Sequence, residues 1–171
     1  MNSSRVRAAW HESGHAAVCR FLGIPIELLA IGPDGSVTKT AEPSGGDRSE
    51  EAVEKALVVA LGGVLAEAYV PSLQTLGAAR FERNGGDHDP YAGFLETALA
   101  ASAEHPTDED IVQTLRERLG EEAYRRCHDL AAEIVDRAEA VGRLGALADE
   151  LIWRGELSGG DLEAILDAPT T

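Results

Sequence analysis

Two histidines stand four residues apart, with a glutamate directly after the first, in the segment WHESGHAAV, Trp10–Val18. On a helix, His11 and His15 share one face a turn apart, with Cβ atoms about 6 Å from each other. Both imidazoles can then reach one cation at about 2.0–2.1 Å, as zinc requires. Glu12 lies one position round the helix, badly placed to bind the same ion but able to reach a water beside it. Zinc lowers the pKa of such a water to about 7, and a carboxylate can take its proton. The pattern therefore reads as metal-assisted hydrolysis of a carbonyl, with His11 and His15 as ligands and Glu12 as general base. The competing reading is an amphipathic helix with two surface histidines, whose core residues are Ala16, Ala17 and Val18. Gly14 weighs for the site. Glycine inside a helix costs about 1 kcal/mol against alanine, which implies close approach by another segment or a substrate.

A catalytic zinc takes three protein ligands and keeps one position open. The longer H-x-x-G-x-x-H spacing is excluded, because Val18 and Phe21 occupy its glycine and histidine positions. Glu50, Glu51 and Glu54 open a predicted helix, where acidic residues complement the dipole without any metal. Cys19 continues the histidine face, but it lies about 12 Å from His11 along the axis, beyond one ion's reach. The segment NGGDHDP, Asn84–Pro90, offers Asp87, His88 and Asp89 just before a helix start. Asp followed by Pro is also ordinary helix-start chemistry. Spacing alone leaves the choice among these residues open.

The elements that must carry these side chains read as mostly helix with one small sheet, an α+β pattern. A first helix runs from a Ser3 or Ser4 cap to about Leu22, ended by Gly23 and followed by Pro25. Ile26, Leu28 and Ile31, the turn signal Pro33-Asp34-Gly35 and the alternation over Ser36–Thr40 predict a β-hairpin or small sheet. The stretch EPSGGDRSE reads as a loop. A second helix covers roughly Ser49–Val70 and stops at Pro71. Asp89-Pro90 opens a third, to about Ala103. Thr107 with Asp110 resembles a capping box for a fourth, Asp108–Leu119. Beyond Gly120 come a long helix, another after it, and a short last one over Ser158–Leu166.

The chain has 171 residues, 44% hydrophobic and 26% charged, with a formal charge of −15. That predicts one globular domain over 1–171, with the metal-site core in 1–104 and a C-terminal helical part in 105–171. The negative field repels nucleic acid and anionic lipid, so neither is expected as a partner. Two cysteines, Cys19 and Cys127, do not make a disulfide framework. The longest apolar run, Ala56–Ala66, is too short to span a bilayer. A cytoplasmic location with reduced thiols is the expectation.

The motifs together resemble a known family. The run AAWHESGHAAV is similar to the HEAGHA helix in the peptidase domain of FtsH-type ATP-dependent zinc metalloproteases. LGGVLAEAYV, Leu61–Val70, resembles that family's Gly-Gly-Arg-x-Ala-Glu helix, with Val64 in place of the arginine. NGGDHDPYAGFLETALA resembles its Gly-Ala-x-x-Asp segment, and the C-terminal stretch resembles its closing helices. The likeness spans nearly the whole chain, and the His-Glu block is its most specific part. It implies a helical, zincin-like domain with Zn2+ held by His11, His15 and Asp89, Asp87 being the alternative in a shifted register. It implies Glu12 as general base and Glu67 near the metal, orienting a ligand histidine. Gly62 and Gly63 are expected to let this helix pack closely on the first. No G-x-x-x-x-G-K-[ST] phosphate loop and no transmembrane segment is present, so the expectation is a peptidase domain apart from motor and anchor. The implied activity is zinc-dependent hydrolysis of peptides or unfolded segments. The alternative is a catalytically weak zincin-fold module that docks a protein partner. A separate ATPase or further copies of the chain are the other partners this resemblance raises.

Overall fold

The computed structural model describes residues 3–32, 35–40, 49–70 and 107–168. Helix α1, Ser3–Leu22, ends where Gly23 adopts a left-handed φ of 70° and Ile24 N donates back to Cys19 O at 2.8 Å. That is the αL stop the sequence signals. Strands β1, Ile26–Gly32, and β2, Gly35–Thr40, then pair antiparallel, with Leu29 opposite Thr38 and Gly32 opposite Gly35. The expected hairpin is therefore present, and the sheet is larger than the hairpin. Strand β3, Glu156–Ser158, pairs antiparallel with the other edge of β1, giving the order β2-β1-β3. Three residues between two helices carry too little alternation to announce a strand.

Helix α2, Glu50–Ala66, is capped by Ser49, whose hydroxyl accepts from Ala52 N at 3.2 Å. Its last turn tightens into a 3-10 turn, Glu67–Tyr69, so the predicted helix over Ser49–Val70 changes geometry near its end. The C-terminal helices are α3, Asp108–Leu119; α4, Glu121–Ala140; α5, Arg143–Arg154; and α6, Gly159–Leu166. Thr107 and Asp110 form the expected reciprocal capping box at the start of α3. Gly120, Gly142 and Gly155 take φ values of 85°, 71° and 82° and separate these helices. The architecture is mostly helical with one small antiparallel sheet, as the residue pattern indicates. The helix predicted from Asp89 to about Ala103 and the loop expected before Ser49 lie outside the described residues. Among the described residues no helix is long and apolar enough to cross a membrane.

Helix α2 is buried along almost its whole length, including Val53, Ala56–Gly63 and Ala66. A helix apolar on all sides belongs at the centre of a fold. It packs against α1, α3 and α4, and α1 packs in turn against α5 and the sheet. Leu57, Ile111, Leu115, Leu144, Leu147 and Leu151 fill the space between them, with Leu29 and Leu157 contributed by the sheet.

The α1–α2 crossing depends on glycine. A Cβ on Gly14 would lie 2.2 Å from Gly62 O and 2.6 Å from Ala66 Cβ. A Cβ on Gly62 would lie 2.6 Å from Val18 Cγ2. Backbone thus meets backbone here, closer than any side chain allows. Gly14→Ala is expected to destabilise the protein by about 1–3 kcal/mol through overpacking, although alanine gains up to about 1 kcal/mol of helix propensity. Chemical denaturation measures the sign, and a stabilised Gly14→Ala variant contradicts the close approach.

Candidate metal centre

Arg7, His11 and His15 fall on one face of α1 at successive turns, and Glu12 projects beside them. The face is turned inward. His11, Glu12, Ser13 and His15 are all buried. Surface histidines on an amphipathic helix are therefore excluded. His11, Glu12 and His15 form a group able to hold a metal ion, with ligand atoms within 4.8 Å of one another.

Hydrogen bonds fix the tautomer of each ring. His15 Nδ1 lies 2.8 Å from Val59 O on α2, and a carbonyl only accepts, so Nδ1 carries the proton. His11 Nδ1 lies 2.8 Å from Glu67 Oε1 and donates to that carboxylate. Both Nε2 atoms of the neutral rings consequently present lone pairs. They face each other at 3.0 Å, with the rings nearly perpendicular at 84°. Asp108 Oδ2 completes the convergence, 2.5 Å from His11 Nε2 and 3.0 Å from His15 Nε2.

Three acceptor atoms crowded together are stable only around a positive charge. A proton supplies one, and a cation supplies another. Two imidazole nitrogens and one carboxylate oxygen are the donor set of a catalytic zinc site. Ligands about 2.0–2.1 Å from a tetrahedral ion stand about 3.3 Å apart, so these donors need separate by less than about 1 Å to admit it. Gly63 leaves the room. A Cβ there would come within 2.6 Å of His15 Nε2 and 2.8 Å of His11 Nε2. The residues fit a zinc ion.

Electrostatics agree with the geometry. Burial pushes the His11 imidazole pKa down, but the Asp108 and Glu67 carboxylates outweigh it and hold His11 well above its ordinary value. At His15 burial again opposes, and Asp108 raises the pKa. Burial would raise the Asp108 carboxyl, yet the His15 and His11 rings hold it far below the usual carboxylate range. Glu67 is also lowered, against its burial, by His11 and by Arg7. Glu12 is anchored separately: Thr38 on β2 donates its hydroxyl to Glu12 Oε2.

The third acid comes from α3. Asp108 is the first residue of that helix, and Asp110 does the capping. Asp108 is thus left free to lean into the site, its charge favoured by the helix N-terminus. Sequence pattern alone misses Asp108: the capping pattern is visible, but an acid in the first turn of a helix is ordinary there and does not single it out. Asp87 and Asp89, expected as third ligands from the family resemblance, lie outside the described residues. Cys19 is buried among the core residues. Compared with known proteins, the chain matches no protein-family model and no curated protein.

The raised histidines set a pH dependence. In protein stripped with EDTA, His11 and His15 contribute stability that is full below the unfolded value of 6.5 and is lost as pH rises through their raised folded values. The lowered Asp108 contributes above its ordinary 3.8 and loses that contribution as pH falls through its folded value. Melting temperatures of the stripped protein should therefore fall from pH 6.5 upward. The increment added by saturating zinc should instead grow over that range, because zinc competes with protons for Nε2. A zinc increment that shrinks with rising pH contradicts the assignment.

Proposed function

We propose that this chain is a zinc metallopeptidase that hydrolyses peptides or unfolded protein segments. The observation that carries the reading is the convergence of His11 Nε2, His15 Nε2 and Asp108 Oδ2, with the Glu12 carboxylate beside them. His11, His15 and Asp108 would hold a zinc ion, which would supply a water acidified to a pKa of about 7. The chain's own groups then do the rest. Glu12 accepts the proton, and its neighbour Thr38 holds one carboxylate oxygen so that the other can turn to the water. The same carboxyl returns the proton to the departing amine. Glu67 and the Val59 carbonyl keep both Nδ1–H groups engaged, so the rings do not rotate away from the ligand positions.

The strand next to the site supports a peptide as substrate. Thr38 lies within β2, and among the described residues β2 pairs only with β1. Among the described residues β2 is an outer strand of the order β2-β1-β3, the place where an extended chain adds by strand pairing. Such an edge accepts peptides and unfolded segments rather than folded domains.

Glu12→Gln tests the proposal. It should retain one zinc per chain by elemental analysis and lose about 10²–10⁴-fold in cleavage of a mixed peptide library. Undiminished turnover in that variant removes Glu12 from the chemistry. Zinc bound by the wild type without any turnover turns the reading toward a docking module.

A further inference from the structure

Arg7 lies one helical turn before His11 on α1, with its side chain only 24% exposed. Its guanidinium pairs with Glu67 through Arg7 Nε and Glu67 Oε2. The other Glu67 oxygen, Oε1, accepts from His11 Nδ1 at 2.8 Å. The Glu67 side chain is 14% exposed, so both of its oxygens are engaged away from bulk water. The three side chains form one chain of contacts, from guanidinium to carboxylate to imidazole, and the imidazole ends at Asp108.

We infer that Arg7 is a positioning residue for the metal site, acting on His11 through Glu67. This rests on the zinc reading given above. Glu67 sits at the junction of α2 and the 3-10 turn, where it follows the last α-helical residue. A carboxylate at a helix end has rotamer freedom unless both oxygens are fixed. Arg7 fixes Oε2, which sets the direction of Oε1, which sets the plane of the His11 ring. A guanidinium suits that task because its planar fork holds a carboxylate in a defined orientation. Arg7 and His11 stand on the same helix, so the distance between the two ends of the relay is set by the pitch of α1. Glu67 bridges that span from the opposite helix. The relay therefore also ties the ligand geometry to the α1–α2 crossing. A plain structural ion pair between α1 and α2 would contribute stability alone. A positioning residue must also change how tightly the site holds its ion, and only while Glu67 is present.

Zinc affinity of the full chain, measured by competition with a chromophoric chelator, separates the two roles. Glu67→Gln should bind zinc about 10–100-fold more weakly, the usual consequence of losing a ligand's hydrogen-bond partner. Arg7→Met should weaken binding about 10-fold, and Arg7→Lys, which keeps the charge but lacks the planar fork, should recover only part of it. The double variant Arg7→Met/Glu67→Gln should bind as Glu67→Gln does, because the link is already broken. Arg7→Gln carries the same cycle if Arg7→Met fails to fold. Wild-type affinity in the Arg7 variants overturns the inference, as does a double variant whose loss is the product of the single losses. If the wild type binds no zinc, the reading of the site falls and this inference with it. If the wild type binds one zinc and the Arg7 variants hold it as tightly, only this inference falls.

Discussion

Gly14 and Gly62 meet across the α1–α2 crossing with no side chain between them, and the orientation of both histidine rings at the candidate site follows from that contact. Bringing two helix backbones this close puts the Val59 carbonyl of α2 within 2.8 Å of His15 Nδ1. It also puts Glu67, at the end of α2, within 2.8 Å of His11 Nδ1. Gly63, the next residue, leaves open the space in front of both Nε2 atoms. These three glycines, one inside α1 and two inside α2, cost their helices about 1 kcal/mol each. Here that cost is offset by the packing of a central helix that buries Val53, Ala56–Gly63 and Ala66.

The centre is also a case of polar burial made tolerable by pairing. A buried carboxylate or imidazole without a partner is strongly unfavourable. Asp108, Glu67 and Glu12 each have one: the two Nε2 atoms, Arg7 with His11, and Thr38. These contacts draw on α1, β2, the end of α2 and the start of α3, so the site exists only when all four are assembled. Removing one member takes a hydrogen-bond partner from each buried group it touches.

Much of this was legible in the residues, and what was not has physical causes. The HExxH spacing, the glycines at 14, 62 and 63, the hairpin and the cap at Thr107 are local signals, set by neighbours within a few positions. They show in the sequence because periodicity and turn chemistry are local. Asp108 was hidden because its partners lie more than ninety positions away, and an acid at a helix start has an ordinary explanation. β3 was hidden because three residues carry no period. The Val59 carbonyl was hidden because a backbone acceptor has no sequence identity at all. Arg7 was legible in part, since its spacing of four from His11 places it on the same face, but its partner Glu67 is set by the tertiary crossing.

Anomalous diffraction at the zinc absorption edge, from crystals of the zinc-loaded protein, tests the central claim most directly. One peak is expected, about 2.0–2.1 Å from Nε2 of both His11 and His15 and within the same bonding range of an Asp108 carboxylate oxygen. Absence of a peak there, or a peak whose third protein ligand is another residue while Asp108 points away, contradicts the assignment.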